Sequence, residues 1–194
     1  MIKNNLFEKS EKFKADADKI LKESDLINFL SKYGKVKPVG AYHFDIMMRG
    51  DIDFHIFMEK VDKEKVIDAL NKLIGQGYFQ AYMFDDFVKY SRLIKNSNDQ
   101  FPYGYYLGLI VIPKGYDKRW KIDIWFIEKD SLSGKKYYQL LKNNLNEENK
   151  KLILELKDYK IKNKLDFPST IIYDAVLVKG IKNINGFIEY IKDL

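Results

Sequence analysis

Residues 39–58 read VGAYHFDIMMRGDIDFHIFM, and the second half of this stretch decides the fold. From Asp51 onward Asp51, Asp53 and His55 share one parity, while Ile52, Phe54 and Ile56 share the other. In a β-strand, residues i and i+2 project to the same face, roughly 7 Å apart. The apolar set marks a half-buried strand, so its other face opens with two carboxylates. A second run, KIDIWF at residues 121–126, repeats the arrangement: Asp123 lies on one face with Lys121 and Trp125, and Ile122 and Ile124 on the other. Neighbouring strands lie about 4.8 Å apart. If these two runs pair, three carboxylates converge, and like charges that close raise one another's pKa unless a cation is bound. Such a cluster suits Mg²⁺, or Mn²⁺ in its place, because a hard dication takes carboxylate oxygen, water and substrate phosphate together. Solubility alone can place Asp opposite Ile on a half-exposed strand. The Gly40-Ala41 turn, eleven residues before Asp51, and the lone Asp123 in an apolar run argue for more than that.

Working outward, Leu6 to Leu21 has helical periodicity, and Ser24 is read as the cap of a second helix ending near Gly34. Val36 to Ala41 is a short strand in which Pro38 is tolerable near the start or on an edge. Asp62 to Ile74 is a helix stopped by Gly75 and Gly77. Three strands follow, over Phe79 to Tyr90, Tyr105 to Ile112 and Trp120 to Ile127. Turn signals at Asn96 to Asp99, Pro102 and Gly104, and again at Pro113, Gly115 and Asp117, separate them. Beyond Asp130 the chain reads as helical, with starts at Asn146 and Pro168, a stop at Gly180 and a last helix over Phe187 to Ile191. Helices, then strands with one helix inserted, then helices again predict an α+β fold: a mixed sheet with flanking helices and a helical C-terminal tail. The expected division is residues 1–130 as the α+β core and 131–194 as the tail, with Ser131, Ser133 and Gly134 at the joint.

The chain has 194 residues and no cysteine, which removes thiolate catalysis, disulfides and cysteine zinc sites. Two histidines, His43 and His55, leave little for a histidine-rich metal cage. No G-x-x-x-x-G-K-[ST] or G-x-G-x-x-G occurs. The charged N-terminus lacks a signal-peptide core and no apolar run is long enough for a membrane helix, so the expectation is a soluble, cytoplasmic protein with no membrane partner. Residues 134–164 carry nine lysines against Glu147, Glu148, Glu155 and Asp158, which is +5 of the overall +6. That stretch reads as a solvated helix face or as the neighbour of a phosphate-rich partner such as nucleic acid. Trp125 is expected to pack under the helical tail, and Tyr103, Tyr105 and Tyr106 to pack within their strand.

Gly40-Ala41, Asp51-Ile52-Asp53 and Asp123 within KIDIW together resemble the nucleotidyltransferase superfamily, which includes polymerase β and the aminoglycoside nucleotidyltransferases. Its pattern is a Gly-Ser turn, a D-x-D strand and a third acid on a later strand. The likeness runs from residue 36 to about 190 and is greatest to small bacterial members with a tyrosine-rich strand and a helical tail like STIIYDAVLVKG. It implies transfer of a nucleoside monophosphate from NTP to a hydroxyl acceptor. Asp51, Asp53 and Asp123 would be the catalytic and metal-binding acids, and Gly40 and Ala41 would lie at the triphosphate. Apart from the resemblance, Arg49 is placed either to pair with phosphate or to offset Asp45 or Asp51, and Lys121, on the face of Asp123, to contact phosphate, so both join the nucleotide-binding candidates. Ala41 stands where the family has serine, so a hydroxyl to a phosphate oxygen is missing, about 1.5 to 3 kcal/mol of binding. The alternative is a silent member of the fold that binds nucleotide, RNA or a protein partner.

Overall fold

The structure is a computed structural model, and it describes residues 2–90, 102–129 and 135–192. It is α+β. Helices α1 (Ile2–Glu23) and α2 (Leu26–Ser31) precede strand β1 (Lys35–Val39), the single turn α3 (Gly40–His43), β2 (Asp51–Met58) and α4 (Lys63–Gln76). Then come β3 (Ala81–Asp86), α5 (Phe87–Tyr90), β4 (Gly104–Val111) and β5 (Trp120–Glu128). The tail holds α6 (Lys135–Asn144), α7 (Glu147–Lys162), α8 (Ser169–Tyr173), which continues as a π-helical turn over Asp174–Val178, and α9 (Ile184–Lys192).

The five strands are ordered β1-β2-β5-β4-β3. β2 and β5 are parallel and the other pairs antiparallel, so the two acid-bearing strands sit side by side inside the sheet. Pro38 lies on the edge strand β1, where its missing N–H costs no ladder bond. The alternation in β2 and β5 resolves into a dry face and a working face. Ile52, Phe54, Ile56, Ile122, Ile124 and Phe126 are fully buried, with Leu26 and Leu30 of α2 and Val66, Ala69 and Leu73 of α4 in the same core. A second apolar cluster joins Leu141, Ile153, Leu156, Ile172 and Phe187 of the tail to Ile46 and Met48 of the loop before β2. This cluster fixes the tail against the segment that leads into the carboxylate strand.

Several boundaries differ from the sequence reading, each for a local reason. Ser24 does not cap α2: its hydroxyl donates to the carbonyl of Ile20, completing the end of α1 instead. Asp25, in a left-handed conformation, occupies the cap position, its carboxylate accepting from the Asn28 side chain at 2.6 Å and from no backbone N–H of the helix start. The chain leaves β1 at Val39 because Gly40 turns into α3, taking Ala41 out of the strand. Gly75 stays within α4, and Gly77, at a φ of 69°, ends it. Asp62 caps that helix, accepting from the backbone N–H of Glu64 and Lys65, a bond typically worth about 1 kcal/mol. The strand expected to run to Tyr90 stops at Asp86, whose carboxylate accepts the N–H of Lys89 and so starts α5. The turn residues Asn96 to Asp99 and the joint at Ser131 to Gly134 lie outside the described residues.

Candidate active site

In the parallel pair Asp53 lies directly opposite Asp123, and Asp51 opposite Lys121. At ordinary strand spacing this is the convergence that the alternation predicts. The carboxylates act on one another: desolvation first, then Asp51 and Asp123, hold the Asp53 carboxyl well above the usual range. Asp123 is also raised, chiefly by desolvation, against the opposing effects of Tyr106 and Lys121.

Each acid is answered by a cation of the chain. Arg49 donates from Nε (3.0 Å) and Nη2 (2.5 Å) to one oxygen of Asp51. Lys121 Nζ lies 3.0 Å from Asp123 Oδ1, and the Tyr106 hydroxyl donates to that same oxygen at 2.5 Å. Lys157 of α7, only 6% exposed, donates to the carbonyl of Ile46 at 2.9 Å and faces Asp53 electrostatically. Burial pulls its ammonium below the ordinary lysine range, while Asp53 favours the charged form. Among the described residues no three His, Cys, Asp or Glu side chains are grouped as a ready metal cage. One oxygen of Asp51 is already engaged by Arg49, and one of Asp123 by Tyr106 and Lys121. The donor types still suit Mg²⁺: Asp51, Asp53 and Asp123 stand on adjoining strands, and a dication would offset the repulsion that, after desolvation, raises Asp53.

Gly40 has a role beyond the one the resemblance implies. At a φ of 63° it packs on Asp53, and a Cβ there would collide with the carboxylate oxygen. Gly108, in register with Asp123, leaves room for the Tyr106 hydroxyl, which a Cβ would meet at 2.6 Å. Beside Asp51 opens a cleft of about 370 Å³, lined by Ala41, Arg49, Asp51, by Lys157 and Lys160 of α7, and by Lys164 from the turn that follows it. Lys157 and Lys160, at i and i+3, share one helix face, and Lys164 sits beyond the helix end in a left-handed conformation. The stretch that composition could leave as a solvated face therefore brings three lysines to the cleft wall, two of them bonded to backbone, Lys157 to the Ile46 carbonyl and Lys160 to that of Phe167. The helical spacing was the available signal for these two. Tyr106, raised in pKa by burial and then by its bond to Asp123, and Tyr173, raised by burial and then by the charges of Asp53 and Asp51, carried no such signal. Of the four residues expected to bind nucleotide, Ala41 and Arg49 line the cleft, Gly40 lies against Asp53, and Lys121 is committed to Asp123.

Trp125 is not seated under the tail as expected. Its ring meets Phe87 of α5 at 5.0 Å and Tyr106 of β4 at 5.1 Å, because the start of α5 brings Phe87 over the carboxylate face. Tyr105 stacks on Phe84, the strand packing expected of it, whereas Tyr106 serves Asp123. His43, in α3, stacks on Tyr138.

His55, on the carboxylate face, is 9% exposed, and burial with the nearby Lys37 lowers its pKa to about 4. The unfolded chain therefore takes up a proton near pH 6.5 that the native chain refuses until about pH 4. Stability from this residue is full above pH 6.5 and is lost as pH falls through that window. Urea unfolding at pH 7 and pH 5 is expected to show about 2 kcal/mol more loss in the wild type than in His55→Gln. Equal losses in the two proteins would contradict the burial assigned to the neutral ring.

Compared with known proteins, the chain matches no family model, and no curated protein is significantly similar to it in sequence.

Proposed function

We propose that the chain is a nucleotidyltransferase, moving a nucleoside monophosphate from NTP to a hydroxyl acceptor with release of pyrophosphate. The observation that supports it is the juxtaposition of Asp51, Asp53 and Asp123 on adjoining strands beside a lysine-lined cleft. Asp51, Asp53 and Asp123 would hold Mg²⁺, or Mn²⁺, which when bound offsets charge on the phosphoryl oxygens and the departing pyrophosphate. Arg49, Lys157, Lys160 and Lys164 supply the positive wall for the triphosphate. The acceptor oxygen bonds to the α-phosphorus, the bond to the bridging oxygen of the β-phosphate breaks, and the hydroxyl proton passes to Asp123. A carboxylate with a raised pKa suits that proton transfer, and Tyr106 and Lys121 fix its orientation. No described helix is long and apolar enough to cross a membrane.

A second reading has its own support. Ala41 removes the family hydroxyl, and the three acids are already balanced by Arg49, Lys121 and Lys157, so a silent member of the fold that binds nucleotide, RNA or a protein partner is the alternative. The two separate on addition of NTP. Under the enzyme reading, ATP at 100 times its Kd with Mg²⁺ stabilises the protein by about 2.7 kcal/mol. That is a rise in Tm of roughly 5 to 10 °C for a chain of this size, with pyrophosphate released once a cell extract supplies the acceptor. Absence of both responses with all four NTPs would remove the enzyme reading and leave the alternative.

A further inference from the structure

A second concavity lies at the other end of β2, roughly 20 Å along the strand from Asp51. It is formed by the turn between α2 and β1, by β1 itself, and by the connection from β2 to α4, and encloses about 1290 Å³. Seven of its lining residues are lysines, against Glu59, Asp62 and Glu64. The acids do little to neutralise it. Asp62 is occupied by the N–H groups of Glu64 and Lys65, and Glu59, 92% exposed at its side chain, reaches only Lys129 at 3.8 Å. Lys63 is paired with Asp86, but Lys32, Lys35, Lys60 and Lys65 have no acid within 4 Å among the described residues. Two half-buried rings, Tyr33 and Phe57, lie between the lysine-bearing walls.

We propose that this groove holds a single-stranded nucleic acid, bound through its phosphates without sequence preference. Lysines are flexible point charges that suit a chain of phosphates rather than one planar group. Rings lying between them offer stacking surfaces to unpaired bases. An acidic protein would need a dehydrated apolar centre, and here, besides the Tyr33 ring, the apolar lining is the half-buried Phe57 and Val61 with the buried Met58. Binding at this end of the sheet involves none of the three carboxylates, so it stands whether or not the chain transfers nucleotides.

The test is fluorescence anisotropy with labelled U15 RNA and dT15 DNA, comparing wild type with Lys32→Glu/Lys35→Glu/Lys60→Glu. All three positions are exposed, and an unchanged Tm checks the fold. Wild type should bind both strands, losing several tens of fold between 50 and 200 mM KCl, the range for four or five phosphates neutralised. The triple reversal should weaken binding at least 30-fold. A control reversal of the exposed Lys12, Lys118 and Lys142 should change it less than threefold, and Asp53→Asn should bind like wild type. No binding at 50 mM KCl, an equal loss in the control, or displacement of the strand by polyglutamate at equal charge would each overturn the proposal, the last in favour of an acidic protein partner.

Discussion

Asp53→Asn is expected to cut pyrophosphate release at least a thousandfold while leaving the protein as stable as wild type, or slightly more so. The two effects have separate causes. Asparagine keeps the shape that packs on Gly40, so the turn from β1 into α3 is undisturbed. It removes the charge that desolvation, Asp51 and Asp123 all oppose, so the native state loses a repulsion along with its attraction to Lys157. Activity has no such compensation, because a neutral amide cannot offset a bound dication and a single transition-state contact of this kind controls several kcal/mol. Asp123→Asn should behave differently, keeping part of the Tm rise with ATP and Mg²⁺, since Asp51 and Asp53 would still hold the dication, but losing turnover, since the acceptor proton has nowhere to go. Steady-state pyrophosphate assays and urea titrations on both variants decide the matter. Wild-type turnover in Asp53→Asn would end the assignment of these acids to catalysis.

The part of this site that was legible in the sequence is the part governed by a period of two. Alternation in residues 51–58 and 121–126 set which side chains face the core, and burial of Ile52, Phe54, Ile122 and Ile124 follows it. That these strands are neighbours, and parallel, is a tertiary fact that alternation cannot carry; the sequence offered their pairing only as a condition, and their parallel direction not at all. The errors arose where a short polar side chain had two backbone groups within reach. Ser24 chose the last turn of α1 over the first of α2, and Asp86 capped α5 where β propensity favoured a longer strand. Trp125 was misplaced for a related reason: its contact is set by α5, an element that the aromatic run of residues 79–90 concealed. Lys157 was the costliest omission. A lysine among apolar neighbours reads as a surface residue, and only the loop at Ile46, over a hundred positions away, gives it a buried partner.

Lys157→Ala is accordingly expected to cost about 4 kcal/mol of stability, the largest loss among single substitutions in the cleft. It leaves the Ile46 carbonyl without its donor, opens a cavity beside Tyr173, and strips Asp53 and Asp51 of a buried countercharge. Lys157→Met restores most of the volume without the charge and should recover about half of that loss. The decisive comparison is the double variant Lys157→Met/Asp53→Asn. Breaking one side of a buried ion pair is costly because the other charge is stranded, whereas replacing both sides is often nearly neutral. The double variant should therefore be more stable than Lys157→Met alone by over 1 kcal/mol, a coupling readable from urea midpoints at constant m. If the two substitutions simply add, Lys157 is held by packing and by Ile46 rather than by the carboxylates, and its place in the triphosphate wall falls with the coupling. Under the enzyme reading Lys157→Met has a second signature: its Tm rise with ATP and Mg²⁺ shrinks, because the cation facing the cleft is gone while the cleft keeps its shape.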